Sequence, residues 1–125
     1  MRDGKIVAAV TGMDHGHING MTEGIGEAGA VIKWAYDPDT EKTKRFLDHF
    51  QKFQVKEAKN LEQILEDPEV DLVLSACIPS QRADLGIRVM EAGKDYFVDK
   101  APFTTLEQLE RIQEAIDKTG RKYMV

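Results

Sequence analysis

Lys100 is the residue of this 125-residue chain best suited to acid–base chemistry. It follows the apolar run Tyr96–Val98 and Asp99, and a proline turn begins two residues later at Pro102. A lysine beside a redox cofactor can pass a proton to or from a substrate hydroxyl. Most lysines are simply solvated, but a position between an apolar run and a proline turn favours a catalytic role. Asp99 can set the electrostatic field around Lys100 or cap the segment that follows.

A second group with chemical potential is the sequence Asp14-His15-Gly16-His17. A catalytic zinc site needs three protein ligands, and the only other histidine of the chain, His49, falls in a separate helical segment. Asp14 would therefore have to be the third ligand. We predict that no metal ion binds here and that the imidazole N–H groups contact phosphate or substrate. A metal-dependent hydrolase that uses Asp14, His15 and His17 is retained as an alternative.

The elements that must position these side chains begin with the apolar run Ile6–Val10. Its lack of polar alternation is typical of a strand covered on both faces, as in a parallel sheet. Gly12 follows where the chain must turn, and a second apolar run, Val31–Tyr36, ends on Asp37. Between the runs, apolar residues recur at helical spacing: Ile18, Met21, Ile25 and Ala28. This order predicts a dinucleotide-binding βαβ unit.

Such a unit places each polar residue for a purpose. A helix that begins just beyond the sheet directs unpaired N–H groups and its positive dipole end at a diphosphate. Asp37 at the end of the next strand can accept both hydroxyls of the adenosine ribose and would repel a 2′-phosphate. No arginine follows it until Arg45. We therefore predict NAD as the cofactor, with NADP not excluded.

The glycines of the predicted helix are spaced by four residues, at Gly16, Gly20 and Gly24. Residues four apart form a ridge along one side of a helix. We expect this ridge to let the helix lie close to the sheet, the usual role of the third glycine in dinucleotide-binding motifs.

The rest of the chain repeats the alternation of strand and helix. Strands are predicted at Gln54–Glu57, Val70–Ala76, Tyr96–Val98 and Lys122–Val125, each preceded by a helical segment. Six strands and five helices predict an α/β fold, a Rossmann-type doubly wound parallel sheet with helices on both faces in three layers. The strand ends then share one edge, which supplies the predicted cofactor-binding residues: Thr11, Gly12, Met13, Asp14, His15, His17, Asp37, Ile78, Pro79, Asp99 and Lys100.

Length and composition limit the class of protein. A chain of 125 residues fits one domain. The net charge of −5 argues against a nucleic-acid partner, and no apolar run approaches the ~20 residues of a membrane helix. A single cysteine, Cys77, allows no internal disulfide. We expect a cytoplasmic protein, with Cys77 as a buried apolar group.

Four segments together resemble the nucleotide-binding domain of Gfo/Idh/MocA-type oxidoreductases, which include glucose–fructose oxidoreductase and inositol dehydrogenase. They are Ile6–His17, Trp34–Asp39, Asp67–Pro79 and Ala92–Glu107. The last is similar to the family's Glu-Lys-Pro signature. The resemblance implies NAD(P)-dependent oxidation of a hydroxyl on a sugar, cyclitol or similar molecule. It also implies catalysis by Lys100, cofactor binding by Gly12 and Asp37, a substrate domain after residue 125, and a homo-oligomer.

The chain departs from the family pattern at four positions. The signature glutamate is Asp99, the proline after the lysine is Ala101, the second glycine of the phosphate loop is Asp14, and a usual histidine is Ala83. A nucleotide- or redox-sensing module without catalysis is therefore a further alternative. Alone, the 125 residues are expected to bind nucleotide weakly and to be inactive.

Overall fold

A computed structural model describes residues 1–125. Its strands are β1 (Val7–Thr11), β2 (Val31–Tyr36), β3 (Lys56–Glu57), β4 (Leu72–Ser75), β5 (Asp95–Val98) and β6 (Tyr123–Met124). Its helices are α1 (His17–Glu27), α2 (Thr40–His49), α3 (Leu61–Leu65), α4 (Arg82–Glu91) and α5 (Leu106–Thr119). Short 3₁₀ turns at Gln51–Phe53 and Pro79–Gln81 complete the chain. None of the helices is both long and apolar enough to cross a membrane.

All six strands are parallel and lie in the order β3-β2-β1-β4-β5-β6. The chain first winds outward from β1 to β3 and then restarts at β4 on the other side of β1. Ligands of such sheets bind outside the carboxyl ends of the strands where the order reverses, here between β1 and β4. The predicted Rossmann-type doubly wound sheet is confirmed.

The core lies on both faces of the sheet because β1 alternates its side chains between them. Ala8 and Val10 belong to a buried cluster that includes Ile18 of α1 and Phe46 of α2. Val7 and Ala9 belong to a second cluster, which contains residues of α3 and α4. Every residue of β1 is buried, so the predicted three-layer arrangement is confirmed.

The helix ends follow the sequence signals. The Asp39 side chain accepts hydrogen bonds at the start of α2, and Thr105 forms a capping box with Gln108 at the start of α5. Gly93 and Gly120 end α4 and α5 with φ of +84° and +68°, the left-handed backbone that glycine adopts without strain.

The predicted role of the glycine ridge is wrong. Gly16, Gly20 and Gly24 are exposed, and a Cβ added at any of them would meet no atom within 4 Å. The side of α1 that packs on the sheet carries Ile18 and Thr22 instead. The glycine of α1 that makes a close contact is Gly26, where an added Cβ would overlap the Phe53 ring.

A network of charged side chains lies at the amino ends of the central strands, opposite the strand ends that form the predicted site. Arg2 bonds Glu69 at 2.6 Å, and the Lys33 ammonium contacts Asp67 at 2.6 Å and Glu69 at 2.9 Å. Burial opposes ionisation of Asp67, but hydrogen bonds from Lys33 and Trp34 prevail and lower its pKa to about 2. Hydrogen bonds from Arg2 and Lys33 lower the pKa of Glu69 to about 2.

Candidate functional site

The turn after β1 is built around Gly12. Its φ of +81° is a left-handed conformation, and an added Cβ would lie 2.7 Å from both Cys77 Cβ and Ser75 Oγ. The Gly12 carbonyl accepts a hydrogen bond from Ala76 N–H at 2.9 Å. Glycine is therefore required here to let the β1–α1 loop lie against the end of β4.

The Asp37 carboxylate joins this loop to the end of β2. One oxygen accepts the Met13 N–H at 2.8 Å, and the other accepts the Asp39 N–H at 2.8 Å. The residue is only 6% exposed. An ionised carboxylate has about four acceptor positions, so the two backbone bonds orient Asp37 and leave acceptor capacity toward the adjacent cavity.

Asp14 forms a bridge between three segments. One carboxylate oxygen lies 2.6 Å from Lys42 Nζ on α2, and the other accepts the Ile78 N–H at 3.1 Å. Lys42 therefore balances the charge of Asp14, and the β4–α4 loop helps to fix the position of its side chain. Asp14 does not join His15 and His17 as the metal-site alternative required.

One cavity of about 350 Å³ lies between the ends of β1 and β2 and the β4–α4 loop. Both Gly12 and Asp37 line it, so the two residues expected to hold the diphosphate and the ribose share one space. The other lining residues are Thr11, Asp14, Tyr36, Pro38, Asp39, Lys42, Leu61, Cys77, Ile78, Gln81 and Leu85. Of the predicted cofactor-binding residues, Thr11, Gly12, Asp14, Asp37 and Ile78 are thus brought together.

Two N–H groups at the start of α1 remain unpaired within the chain. The loop uses most of its donors internally, since Gly12 N–H bonds Tyr36 O and His15 N–H bonds Ala76 O. The N–H groups of Asp14 and Gly16 donate to no residue of the chain. Both residues are exposed, which leaves two donors beside the helix start for an anionic group.

The remaining predicted cofactor-binding residues lie outside the cavity lining. His15, His17 and Asp99 form a separate cluster, in which His17 Nδ1 lies 3.1 Å from both carboxylate oxygens of Asp99. Met13 is buried in the core beside α1, and Pro79 starts a 3₁₀ turn at the surface. Sequence position alone did not separate these residues from those that line the cavity.

Lys100 is exposed at the end of β5, and its ammonium group forms no hydrogen bond or ion pair within the chain. The peptide bond from Lys100 to Ala101 is cis. The Asp99 N–H bonds Ser75 O at 3.0 Å, which extends the pairing of β5 with β4 up to the lysine. The lysine is thus free to meet a ligand while its backbone is fixed to the sheet.

Arg82 fixes the loop that carries Lys100, and the sequence analysis missed it. This arginine is 2% exposed. Its Nε donates to Cys77 O at 2.8 Å, and its Nη1 donates to Asp99 O at 3.1 Å and to Ala101 O at 3.0 Å. A usable signal existed, because position 82 falls on the inward face of α4 with Gly86 and Val89. One guanidinium therefore ties the β4–α4 loop to the β5–α5 loop.

Cys77 is a packing residue beside the site. It is buried and unpaired, and burial raises the pKa of its thiol. A raised pKa disfavours the thiolate, the nucleophilic form. The predicted role of Cys77 as a small buried apolar group is confirmed.

Comparison with known proteins agrees with the fold. A family profile, GFO_IDH_MocA, described as an oxidoreductase family with an NAD-binding Rossmann fold, matches residues 10–125. The scyllo-inositol 2-dehydrogenase (NAD(+)) of Bacillus subtilis (strain 168) is 34% identical over 58 residues, which are 46% of this chain and 17% of that protein.

Solved structures share the fold. A protein described as an oxidoreductase, from Erwinia carotovora atroseptica SCRI1043, superposes with a TM-score of 0.92 at 39% identity, covering 97% of this chain and 36% of that one. The WlbA dehydrogenase from Bordetella pertussis, in complex with NADH and UDP-GlcNAcA, gives a TM-score of 0.82 at 20% identity, over 97% and 34%. The chain therefore spans about a third of the length of these proteins.

Proposed function

Since the chain belongs to the Gfo/Idh/MocA family of oxidoreductases and matches the family's NAD-binding Rossmann domain, we propose that the whole protein is a nicotinamide-dependent dehydrogenase. Its substrate would be a sugar, a cyclitol or a related small hydroxyl compound. The observation that carries this proposal is the shared cavity of Gly12 and Asp37. Asp14, which also lines it, has an unpaired N–H, and a second unpaired N–H follows at Gly16 at the start of α1. The similarity to scyllo-inositol 2-dehydrogenase supports the substrate class.

The residues fit a dinucleotide by charge and donor pattern. The free N–H groups of Asp14 and Gly16 suit a diphosphate at the start of α1. The remaining acceptor capacity of Asp37 suits ribose hydroxyls. Lys42 is the one cation of the cavity lining, and it is paired with Asp14. With Asp37 and Asp39 also in the lining, the site favours NAD over a cofactor that carries an extra phosphate.

Lys100 is proposed as the proton-transfer residue. A bound nicotinamide supplies or accepts the hydride. The Lys100 ammonium would donate a proton to the substrate oxygen during reduction, and the free amine would accept that proton during oxidation. Its lack of a partner within the chain supports this role. Arg82 is proposed as a positioning residue, since it holds the carbonyls on either side of Lys100.

Several properties of the whole protein follow as proposals. We propose that a substrate-binding domain beyond the 125 residues completes the pocket, which is supported by the one-third coverage of related structures. Homo-oligomerisation and a cytoplasmic location are proposed from the family resemblance and the single cysteine. Nucleic acid and membranes are not expected partners, because the net charge is −5 and no helix suits a membrane.

The cofactor site can be tested by placing a charge where the diphosphate is proposed to bind. Gly16 accepts a side chain, because it lies in open space at the N-cap of α1, where aspartate is a favoured residue. We expect Gly16→Asp to keep the fold and to weaken NADH binding at least about tenfold, by repulsion between charges roughly 4–6 Å apart. Gly20→Asp, one turn further along and also in open space, is the matched control and should change affinity less than about twofold.

Titration of both variants with NADH by calorimetry measures this difference. Equal affinities for Gly16→Asp and the unchanged protein would refute the diphosphate assignment. For catalysis, the full-length Lys100→Met variant should bind NADH normally and lose about 10²–10⁴-fold in turnover with a panel of polyols. The exposed Lys118→Met variant serves as the control. Retained turnover in Lys100→Met would remove the catalytic role, and NADH binding without turnover by the unchanged protein would favour the sensing alternative.

A further inference from the structure

His15, His17 and Asp99 form a cluster of metal-ligating side chains that the nucleotide cavity does not include. One potential ligand atom from each residue lies within 4.8 Å of the other two. The two imidazole rings have centroids 4.0 Å apart. His17 Nδ1 lies 3.1 Å from the Asp99 carboxylate, and His15 Nδ1 lies 3.7 Å from it. The cluster therefore brings two potential nitrogen ligands and one potential oxygen ligand within 4.8 Å of one another.

The sheet holds the three ligands at this point. His15 and His17 belong to the loop and first turn that follow β1, and Asp99 directly follows β5. The Asp99 side chain is 10% exposed, and its backbone bonds both Ser75 and Arg82. Both histidine side chains are about half exposed, at 53% and 52%. A fixed, largely buried carboxylate thus faces two imidazoles that remain open to solvent.

The spacing suits a small divalent ion. Bonds of 2.0–2.2 Å in a tetrahedral zinc site place the ligand atoms about 3.4 Å from one another. The separation of His17 Nδ1 from the Asp99 carboxylate, 3.1 Å, is close to that value, and the three ligand atoms lie within 4.8 Å of one another. His15 Nδ1 accepts the His17 N–H at 3.0 Å, so Nε2 is the His15 nitrogen that is left for a metal ion. Two histidines with one carboxylate, and one position left open, are the ligand pattern of catalytic rather than structural zinc.

No cation competes closely for the carboxylate. The Arg82 guanidinium comes no nearer to the Asp99 carboxylate than 3.8 Å, and its Nε and Nη1 are committed to backbone carbonyls. Lys100 forms no ion pair with its neighbour. The one side chain at hydrogen-bonding distance from the Asp99 carboxylate is therefore the His17 imidazole, whose place on the carboxylate a metal ion can take.

We propose that His15, His17 and Asp99 bind one divalent transition-metal ion of the zinc class. The prediction that no metal binds depended on Asp14 as the only available third ligand. Asp14 is paired with Lys42 instead. The third ligand is Asp99, which lies 82 positions after His17 in the chain. The site does not depend on the proposed dehydrogenase function.

The test is titration of metal-free protein with Zn²⁺ by calorimetry and with Co²⁺ by visible absorption. We expect one ion per chain and the intense Co²⁺ bands of a four-coordinate site. His15→Ala, His17→Ala and Asp99→Asn should each weaken binding at least about tenfold, as loss of even an outer-shell partner does. His49→Ala is the matched control, since this exposed histidine lies on α2 and outside the cluster, and it should bind like the unchanged protein.

Substoichiometric binding, or equal affinity in the unchanged protein and the two cluster histidine variants, would overturn the proposal. An equal loss in His49→Ala would do the same, because it would show nonspecific binding to histidine. Thermal unfolding of each variant identifies any folding defect. If Asp99→Asn fails to fold, the two half-exposed histidines decide the result. NADH titration of the same samples keeps a failure of the nucleotide site separate from a failure of the metal site.

Discussion

Replacement of Arg82 by methionine tests whether one buried guanidinium holds the two loops of the site together. The change removes three hydrogen bonds, of which the one to Cys77 O is buried and those to Asp99 O and Ala101 O are partly buried. A buried acceptor left unpaired costs about 1–3 kcal/mol. Counting the buried carbonyl fully and the two others at about half gives a loss of roughly 2–6 kcal/mol in unfolding free energy.

The assay is urea unfolding followed through the fluorescence of Trp34, the only tryptophan. Arg88→Met is the matched control on the same helix, because Arg88 is half exposed and forms only a surface ion pair with Glu62. That pair is expected to contribute less than about 1 kcal/mol. Arg82→Lys should be intermediate, since an ammonium lacks the planar fork that reaches all three carbonyls. An Arg82→Met variant within about 1 kcal/mol of the unchanged protein would refute the positioning role.

Three further predictions concern stability. Gly12→Ala should lower the unfolding free energy by about 2–4 kcal/mol in urea unfolding, because of the positive φ and the overlap with Cys77 and Ser75. Gly20→Ala, in open space, should raise it by about 1 kcal/mol. A loss of stability in Gly20→Ala would support the original prediction that the glycine ridge packs on the sheet. The lowered pKa values of Asp67 and Glu69 mean that their stabilisation is complete above their unfolded pKa values, about 4, and disappears as the pH falls through about 2. Lys33→Met should flatten this acid dependence in unfolding measured from pH ~5 to ~2, and an unchanged profile would contradict the assignment. Thr105→Ala should lower the unfolding free energy by about 1 kcal/mol, measured by thermal unfolding, because it removes the capping box. Thr104→Ala should lower it less, and equal losses in the two variants would argue against the cap.

The fold was predictable from sequence because its central strands are apolar throughout. The residues of β1 and β4 are all buried, and unbroken apolar runs are the pattern of strands covered on both faces. The edge strand β3 has two exposed residues, so it offered a weaker signal. Helix ends at Asp39, Thr105 and Gly120 were readable because capping depends on local residue types.

The direction of the glycine ridge was also recoverable from the sequence. Gly20 lies two positions from both Ile18 and Thr22, and two residues of a helix turn through about 200°. A glycine stripe offset by two from an apolar stripe must therefore face away from the sheet. The error came from treating the glycines separately from the buried side of α1.

The charges of the site were harder to predict because they depend on contacts between distant segments. Asp14 meets Lys42 across 28 positions, and His17 meets Asp99 across 82. Sequence reasoning placed Asp14, His17 and Asp99 at one edge of the sheet but could not determine which base each acid would face. Those pairings depend on side-chain directions that only the packed loops define.

The ion network at the amino ends of the strands lies at the opposite end of the sheet from both candidate sites. Lys33, Asp67 and Glu69 fasten one end of the sheet, while the cavity and the histidine cluster occupy the other end. Substitutions around Lys33 can thus change how the fold resists acid without replacing any residue of the cavity or of the histidine cluster.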